Sequence, residues 1–190
     1  MKTEKIYSFD PIAKDDARIL ILGTLPSAAS LEVGYNYGHP RNAFWYIIQA
    51  LLLNDPDKTF EIDPEKLLPI EIRKQLLVDN RIALWDSLHS AARPGSSLDS
   101  AIDLSTEIAN DIPGFLRSHK QIRAVFFNGT KSESVFKKHI LKTINADEDI
   151  QKEIQNRPIV FRRLPSTSPA NAGIPLDKKL AAWSEILEYI

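Results

Sequence analysis

A long polar segment, residues 23–45, carries the densest group of side chains in the chain that are able to do chemistry. Its sequence, GTLPSAASLEVGYNYGHPRNAFW, combines hydroxyls, phenols, an imidazole and amides. A loop of this length inside a compact domain is usually functional. Asn42 stands directly before an apolar segment. It is either the N-cap of a helix or an amide held rigidly toward a cleft, and position alone favours neither.

Small, polar and proline residues also follow three other segments that the sequence pattern predicts as buried strands. The four predicted strands are 18–23 (RILILG), 81–85 (RIALW), 124–127 (AVFF) and 159–163 (IVFRR). In open α/β sheets, sites form outside the carboxyl ends of the strands. We therefore expect residues 23–27, Asp86, residues 128–130 and residues 164–171 to meet around one site.

Helix-like segments separate these strands. A helix is predicted over 42–53, which is apolar on nearly all sides, and an amphipathic helix over 65–78, with Pro64 as its start signal. Leu104, Ile108, Phe115 and Leu116 continue a helical pattern that Pro113-Gly114 interrupts. Strands that alternate with helices predict a largely parallel sheet covered on both faces, in a single domain over 1–190.

Composition excludes several classes of site. The 190 residues include 43% hydrophobic and 26% charged residues and no cysteine, so disulfides, thiolate nucleophiles and cysteine-held metals are ruled out. A net charge of −1 gives no global sign of nucleic-acid binding, although a local basic rim would suffice. No apolar run approaches membrane-spanning length, so a cytoplasmic location without membrane contact is expected.

The common cofactor and metal motifs do not occur in the sequence. It contains neither a phosphate loop nor a dinucleotide fingerprint, and no H-E-x-x-H. The Asp55-Pro56-Asp57 pattern is typical of a loop rather than of the acid-rich cage that a metal-dependent nucleoside hydrolase needs. We therefore expect neither a cofactor nor a metal.

Two stretches resemble the motifs of a known family. Residues 23–27 (GTLPS) with 37–45 (YGHPRNAFW) are similar to the first motif region of the uracil-DNA glycosylase superfamily, and 164–169 (LPSTSP) is similar to its second motif, a proline–serine loop that enters the minor groove. Residues 81–88 and 126–131 fit its two middle strands. The resemblance implies a three-layer α/β/α sandwich with a central four-stranded parallel sheet. It also implies hydrolysis of the N-glycosidic bond of a base flipped out of DNA.

One position separates the branches of this family. The mismatch-specific uracil branch places a catalytic Asn two residues after the first Gly, where this chain has Leu25. The hypoxanthine-DNA glycosylase branch gives the leading role to the Asn of the H-P-R-N string, which is Asn42 here. The resemblance therefore implies a deaminated base, with hypoxanthine favoured over uracil.

The resemblance also implies roles for individual residues. Asn42 and His39 are the candidate catalytic residues, although His39 is equally expected to hold the loop. The candidate base pocket consists of Gly23, Thr24, Leu25, Pro26, Tyr37 and Asp86, with Tyr37 stacking on the base and Asp86 either contacting its edge or forming a turn. The candidate DNA contacts are Ser27, Lys131, Pro165, Ser166, Thr167 and Ser168, near the basic Arg162 and Arg163.

The function predicted from the sequence is a monofunctional DNA-deoxyinosine glycosylase. It would act as a monomer on single- or double-stranded DNA that contains a damaged base. Three alternatives stay open at this point: a mismatch-type uracil-DNA glycosylase, a non-catalytic module that binds lesions, and a hydrolase of free nucleosides.

Overall fold

The strands of the computed structural model, which describes residues 5–53, 61–96 and 98–190, form two sheets. The strands are β1 (Lys5–Tyr7), β2 (Ile19–Gly23), β3 (Ile82–Asp86), β4 (Leu88–Ala92), β5 (Ile108–Ala109), β6 (Ala124–Asn128) and β7 (Val160–Leu164). A parallel four-stranded sheet has the order β3-β2-β6-β7. The four strands predicted from apolar runs are confirmed, each to within one residue at either end.

Helices connect these strands. The α-helices are α1 (Ala28–Val33), α2 (Phe44–Leu52), α3 (Ile70–Asp79), α4 (Ile112–Ser118), α5 (Thr130–Val135), α6 (Leu141–Ala146), α7 (Glu148–Gln155) and α8 (Leu176–Trp183). A π-helical turn, Phe136–Ile140, joins α5 to α6, and short 3-10 turns cover Pro64–Lys66, Asp99–Ala101, Pro169–Asn171 and Ser184–Glu188. In the part of the chain that is described, no helix is long and apolar enough to cross a membrane.

The parallel sheet lies between two helical layers. On one face, α2, α3 and α8 supply buried side chains that include Trp45, Leu77 and Trp183. On the other face, α4, the α5–α6 segment and α7 supply Leu116, Ile140 and Ile154, among others. Successive residues of β2 point to opposite faces and all are fully buried, which explains the continuous apolar run. The predicted three-layer α/β/α sandwich is confirmed.

Two predicted helices differ from the structure. The helix predicted over 65–78 begins only at Ile70, because Pro69 favours an extended conformation at Leu68 and lies just before the first helical residue. The helical pattern proposed from Leu104 onward was wrong: Ile108 lies in β5, and α4 begins at Ile112. Pro113 is tolerated there because it occupies the first turn, where its missing N–H has no helical partner.

A second, antiparallel sheet was not predicted from the sequence. It has the order β1-β4-β5 and joins the parallel sheet through Ser87, the single residue between β3 and β4. The backbone N–H groups of Ser87 and Leu88 donate to the carbonyls of Gly23 and Thr24, at 2.9 and 3.1 Å. This connection holds the exits of β2 and β3 side by side.

Candidate active site

A cleft of about 760 Å³ opens at the carboxyl edge of the parallel sheet, where the strand exits meet. All four predicted exits contribute to it, and so does the segment 98–100, which was not expected there. Its lining includes Gly23, Thr24, Leu25, Pro26, Ser27, Asn36, Tyr37, Asn42, Asp86, Asp99, Asn128, Lys131, Arg163, Pro165, Ser166, Thr167, Ser168 and Ile174. Every residue predicted for the base pocket and for DNA contact therefore lies along this one cleft.

Gly23, Tyr37 and Asp86 meet at the base of the cleft. A Cβ atom at Gly23 would lie 2.7 Å from the Tyr37 hydroxyl and would also collide with the Asp86 carboxylate. Glycine is therefore required here for close approach of the two side chains rather than for its backbone angles. The strand exit leaves room for a phenol and a carboxyl to stand next to each other.

Tyr37 is held in an unusual conformation. Its φ of 57° lies in the left-handed region, which costs energy for a residue with a side chain, and its ring stacks on Phe44 with centroids 4.1 Å apart. Its hydroxyl is buried and makes no well-aligned hydrogen bond to the described residues, although Asn128 and Asp86 lie close to it. Burial, and then the charge of Asp86, raises the pKa of Tyr37, so the phenol stays neutral.

Two carboxyls and one guanidinium form a buried charged group beside the pocket. Burial, and then the charge of Asp99, raises the pKa of Asp86 to about 7, against the opposing effect of Arg93. Burial also raises the pKa of Asp99. A hydrogen bond from Thr24 and the charges of Arg93 and Lys131 lower it, but by less. Arg93 donates to the carbonyls of Pro26 and Ser96, at 2.6 and 3.1 Å. Asp86 is thus a carboxyl that changes protonation state near neutral pH.

Asn42 contacts the start of α2 and also lines the cleft, so its helix-start role and its role toward a ligand are compatible. Its Oδ1 accepts the backbone N–H of Phe44 at 3.0 Å and so supports the start of α2, although the N-cap residue itself is Ala43, which makes no side-chain capping bond. The same side chain lines the cleft, and its Nδ2 group makes no hydrogen bond to any described residue. The bond to Phe44 fixes the amide, and the two N–H donors are left for a ligand.

The loop after β7 is fixed to the rest of the site by buried hydrogen bonds. Asn128 Nδ2 donates to Thr167 Oγ1 at 2.8 Å, and Thr167 N donates back to Asn128 Oδ1 at 2.9 Å. The carbonyl of Thr167 accepts the N–H of Ala43 at 3.0 Å. Trp183 Nε1 donates to the Pro165 carbonyl at 2.9 Å. The loop is therefore preorganised before any ligand arrives.

Comparison with known proteins identifies the family to which this chain belongs. The family model described as the uracil DNA glycosylase superfamily matches residues 10–190, nearly the whole chain. The chain belongs to the uracil DNA glycosylase superfamily. The resemblance that its two motifs suggested is thereby confirmed.

Two curated relatives within this superfamily carry the name hypoxanthine DNA glycosylase. The one from Methanosarcina acetivorans is 35% identical over 125 residues, which cover 65% of this chain and 71% of that protein. The one from Methanosarcina barkeri is 30% identical over 128 residues, 67% of this chain and 73% of that protein. The solution NMR structure of a candidate uracil DNA glycosylase from Methanosarcina acetivorans superposes with a TM-score of 0.71. It is 26% identical in sequence, with 96% of each chain covered.

Leu25 marks where this superfamily member departs from the uracil-type motif. Its side chain is 7% exposed and packs against Leu88, Ala91, Ile102 and Val135. It therefore adds an apolar wall to the cleft where the mismatch-specific uracil branch carries an amide. Thr24 and Pro26, on either side of it, are also buried.

Three of the predicted DNA-contact residues already make hydrogen bonds or ion pairs within the protein. Thr167 is 1% exposed and its hydroxyl accepts a hydrogen bond from Asn128, so little of this side chain is open to a ligand. Lys131 is paired with Glu107 at 2.6 Å. Ser27 caps α1, its Oγ accepting the N–H of Ser30 at 3.2 Å. These contacts satisfy part of each group's bonding capacity internally.

Ser166 and Ser168 are better placed to meet an outside acceptor. Ser166 Oγ accepts the N–H of Ser168, and Ser168 Oγ accepts the N–H of Ala170, each at 3.2 Å. A serine hydroxyl that accepts a backbone N–H still has its own hydrogen to donate. Of the neighbouring basic residues, Arg163 lines the cleft but is paired with Glu133, and Arg162, outside it, is paired with Glu185.

His39 lies outside the cleft. It lines a smaller neighbouring pocket of about 310 Å³, and its Nδ1 accepts the N–H of Arg41 at 3.1 Å. Asn42 and Tyr37 line both cavities and so form the wall between them. The structure therefore separates the two predicted catalytic residues: Asn42 faces the cleft, whereas His39 supports the loop from the other side.

Sequence reasoning missed Asp99 and Arg93 as parts of the site, and it placed Asn128 there without giving it a role. Asp99 and Arg93 come from the segment after β4, which no motif marked. Asn128 ends β6 and belonged to an exit that was expected to line the site. The Asp55–Asp57 pattern lies outside the described residues. Among those described, no group of three or more His, Asp or Glu side chains could hold a metal ion.

Proposed function

We propose that this chain releases hypoxanthine from DNA by hydrolysing the N-glycosidic bond of a flipped-out deoxyinosine. The observation that carries the proposal is the pair formed by Asn42 and Leu25: a fixed amide with free N–H donors faces the cleft, while the position used by the uracil-type enzymes is apolar. DNA repair glycosylase activity is supported by the superfamily, and hypoxanthine by the names of the two curated relatives.

The chemistry needs stabilisation of charge on the leaving base. When the C1′–N9 bond breaks, its electron pair stays with the purine and the sugar becomes an oxocarbenium ion, which water then attacks at C1′, the proton passing to solvent. Because the Asn42 carbonyl is held by the N–H of Phe44, we assign its free N–H groups to the developing negative charge on the base. A neutral amide suits this role better than that of a base.

Asp86 is placed to help the purine leave. It lies at the bottom of the cleft beside Gly23 and Tyr37, and with a pKa of about 7 it is partly protonated at neutral pH. A protonated carboxyl donates a hydrogen bond to an acceptor such as O6 or N7 of hypoxanthine, whereas a carboxylate does not. We propose that the protonated form is the active one.

The test is base release from matched oligonucleotides. Single- and double-stranded DNA of one sequence would carry hypoxanthine, uracil, xanthine or ethenocytosine at one position, and alkali would cleave the abasic product. We expect the fastest single-turnover release from the hypoxanthine substrates. Fastest release of uracil would contradict the substrate assignment. Tight binding without abasic product would instead indicate a module that recognises lesions.

Free inosine supplies the remaining comparison. Hydrolysis of inosine at a rate similar to that of the deoxyinosine duplex would identify a nucleoside hydrolase, because a flipped-base enzyme gains much of its rate from binding the flanking DNA. We propose further that the single domain acts as a monomer, which light scattering during turnover would check.

A further inference from the structure

Arg73 is a buried cation without an anionic partner among the described residues. Its side chain, on α3, is 7% exposed, and its Nε atom is buried with no hydrogen bond. Among the described residues no ion pair includes Arg73, and its Nε is left without a hydrogen-bond partner. Burial of an unpaired charge is costly, so this arrangement needs a compensating partner.

Aromatic rings provide part of that compensation. The Arg73 guanidinium lies 5.4 Å from the centroid of the Tyr35 ring and 5.2 Å from that of Trp45. A cation over an aromatic face is stabilised by the ring's electrostatics, and stacking leaves the N–H groups in the guanidinium plane available. The rings therefore orient the guanidinium without using its hydrogen-bond donors.

The pocket that Arg73 lines presents side chains that favour an anion. It is the cavity of about 310 Å³ on the far side of Tyr37 and Asn42, and no carboxylate occurs among the described residues that line it. His39 also lines it, and because Nδ1 accepts the Arg41 N–H, the neutral ring carries its proton on Nε2 as a donor. Asp63, whose charge acts on the nearby Tyr46, has its own partner in Lys66 at 3.7 Å.

We propose that this pocket, lined by Arg73 and His39, binds a phosphodiester of the substrate DNA strand next to the flipped nucleotide. The inference rests on the proposed function for the identity of the polymer. The wall between pocket and cleft consists of Tyr37 and Asn42. Because both cavities share these residues, only this wall would separate a nucleotide in the cleft from a phosphate in the pocket. Arginine matches a phosphate through two parallel N–H bonds.

The first experiment measures how DNA affinity depends on salt. Arg73→Met would be compared with Arg117→Met, which removes the same charge from α4 in the opposite helical layer. Binding is measured on an undamaged duplex and on one whose deoxyinosine carries a 2′-fluorine to slow cleavage. Loss of one phosphate contact lowers the log–log salt slope by about 0.9 and the affinity roughly tenfold on the deoxyinosine duplex, and by less on the undamaged duplex, which has no flipped nucleotide. Arg117→Met should change neither.

The second experiment uses wild-type protein and inorganic phosphate. Trp45 donates its indole N–H to the carbonyl of Asn36, while Trp85 lies on the opposite face of the sheet, against Phe115. In ¹⁵N-correlated spectra, phosphate should shift the Trp45 indole signal and leave Trp85 in place. Arg73→Lys, which keeps the charge, should retain the salt slope even if Arg73→Met does not fold.

Each result decides the proposal. A reduced slope in Arg73→Met with a Trp45 response to phosphate supports it. An unchanged slope overturns it even where Trp45 responds, because the pocket then takes free phosphate rather than DNA. An unresponsive Trp45 overturns it as well. The binding and phosphate measurements do not require glycosylase activity, so a failure of the proposed function would be seen separately in the cleavage assays.

Discussion

Asn128 and Thr167 exchange two buried hydrogen bonds, 2.8 and 2.9 Å long, across the exits of β6 and β7. The carbonyl of Thr167 in turn accepts the N–H of Ala43, the residue after Asn42. One amide side chain at the end of a central strand therefore connects the proline–serine loop to the start of α2. The two motif regions, far apart in sequence, are held in register by this pair.

Replacing Asn128 should affect both stability and activity. Asn128→Ala removes both bonds and leaves the buried N–H of Thr167 without a partner, which costs about 1–3 kcal/mol of unfolding free energy. Displacement of the loop and of α2 should lower kcat/KM for the deoxyinosine duplex roughly ten- to a hundredfold. Thr167→Val, which keeps the backbone bond, should have the smaller effect. Urea titrations and single-turnover assays measure the two quantities.

A remote asparagine provides the control. Asn80 bonds the carbonyl of Leu76 at the end of α3, and Asn80→Ala should leave kcat/KM unchanged. If Asn128→Ala matched this control in activity, the loop would not depend on the Asn128–Thr167 pair.

The parallel sheet could be predicted because its signals are local. Each central strand is a short apolar run closed by polar or turn residues, and burial on both faces makes that run continuous. Such runs fix strand bounds to within a residue. The exits then follow from the chain direction, since parallel strands end at the same edge.

The antiparallel sheet could not be predicted in the same way. β4 (LHSAA) lacks a clear alternation, and its partner β1 lies at the start of the chain. Pairing at that separation depends on tertiary contacts rather than on local propensity. The same holds for Asp99 and Arg93, whose importance arises only when the segment after β4 folds against the exit of β2. The sequence left two roles open for His39, because a run of adjacent residues can supply both sides of a wall and the side is set by the fold.

Asn42 allows its helix-start role and its chemical role to be separated. Asn42→Ala should lose about 1 kcal/mol of stability together with roughly a hundred- to thousandfold of the cleavage rate. Asn42→Asp keeps an oxygen for the N–H of Phe44 but has no N–H donor, so it should retain stability and still lose the rate. Thermal unfolding and single-turnover cleavage report the two effects. Full activity in Asn42→Asp would contradict the assignment of the amide N–H groups.

Gly23 should tolerate no side chain. A Cβ atom there meets the Tyr37 hydroxyl at 2.7 Å and the Asp86 carboxyl, so Gly23→Ala should cost about 1–3 kcal/mol and abolish most cleavage. Gly173 has no atom within 4 Å of such a Cβ, and Gly173→Ala should change stability by less than about 0.5 kcal/mol. Similar cleavage rates for the two variants would show that the Tyr37–Asp86 approach does not matter.

Asp86 should control the pH dependence of cleavage. Because burial raises its pKa to about 7, the protonated fraction falls between pH 6 and 8, and the single-turnover rate should fall with it. Asp86→Asn keeps a donor at every pH and should flatten this limb, whereas Asp177→Asn, exposed at the start of α8, should not. A wild-type rate that rises through this range would contradict the proton-donor role.

The raised pKa of Asp86 should also make the unfolding free energy depend on pH. Between about pH 4 and 7 the folded chain holds a proton on Asp86 that the unfolded chain has released, so this carboxyl makes folding less favourable as pH rises through that window. Asp86→Asn should remove this contribution. The gain in its unfolding free energy over wild type should therefore grow from pH 4 to pH 7 and then level off.

Glu107 should affect the pH dependence of the unfolding free energy in the opposite direction to Asp86. Its side chain is 1% exposed; burial acts to raise its pKa, but hydrogen bonds from Lys131, Lys138 and His139 outweigh this and lower it to about 2. The carboxylate therefore stabilises the fold above about pH 4.5 and loses that contribution as pH falls toward 2.

Glu107→Gln tests this sign directly. It should cost about 1–3 kcal/mol at pH 7, since Lys131 and Lys138 lose a buried anionic partner but remain partly exposed themselves, and His139 loses a hydrogen-bond partner. The difference from wild type should shrink as pH falls from 4.5 toward 2 in urea titrations. Glu153→Gln, which breaks a surface pair with Arg117, should cost less than about 1 kcal/mol. A Glu107→Gln deficit that stayed constant down to pH 2.5 would mean that the site stabilises the fold by packing rather than by charge.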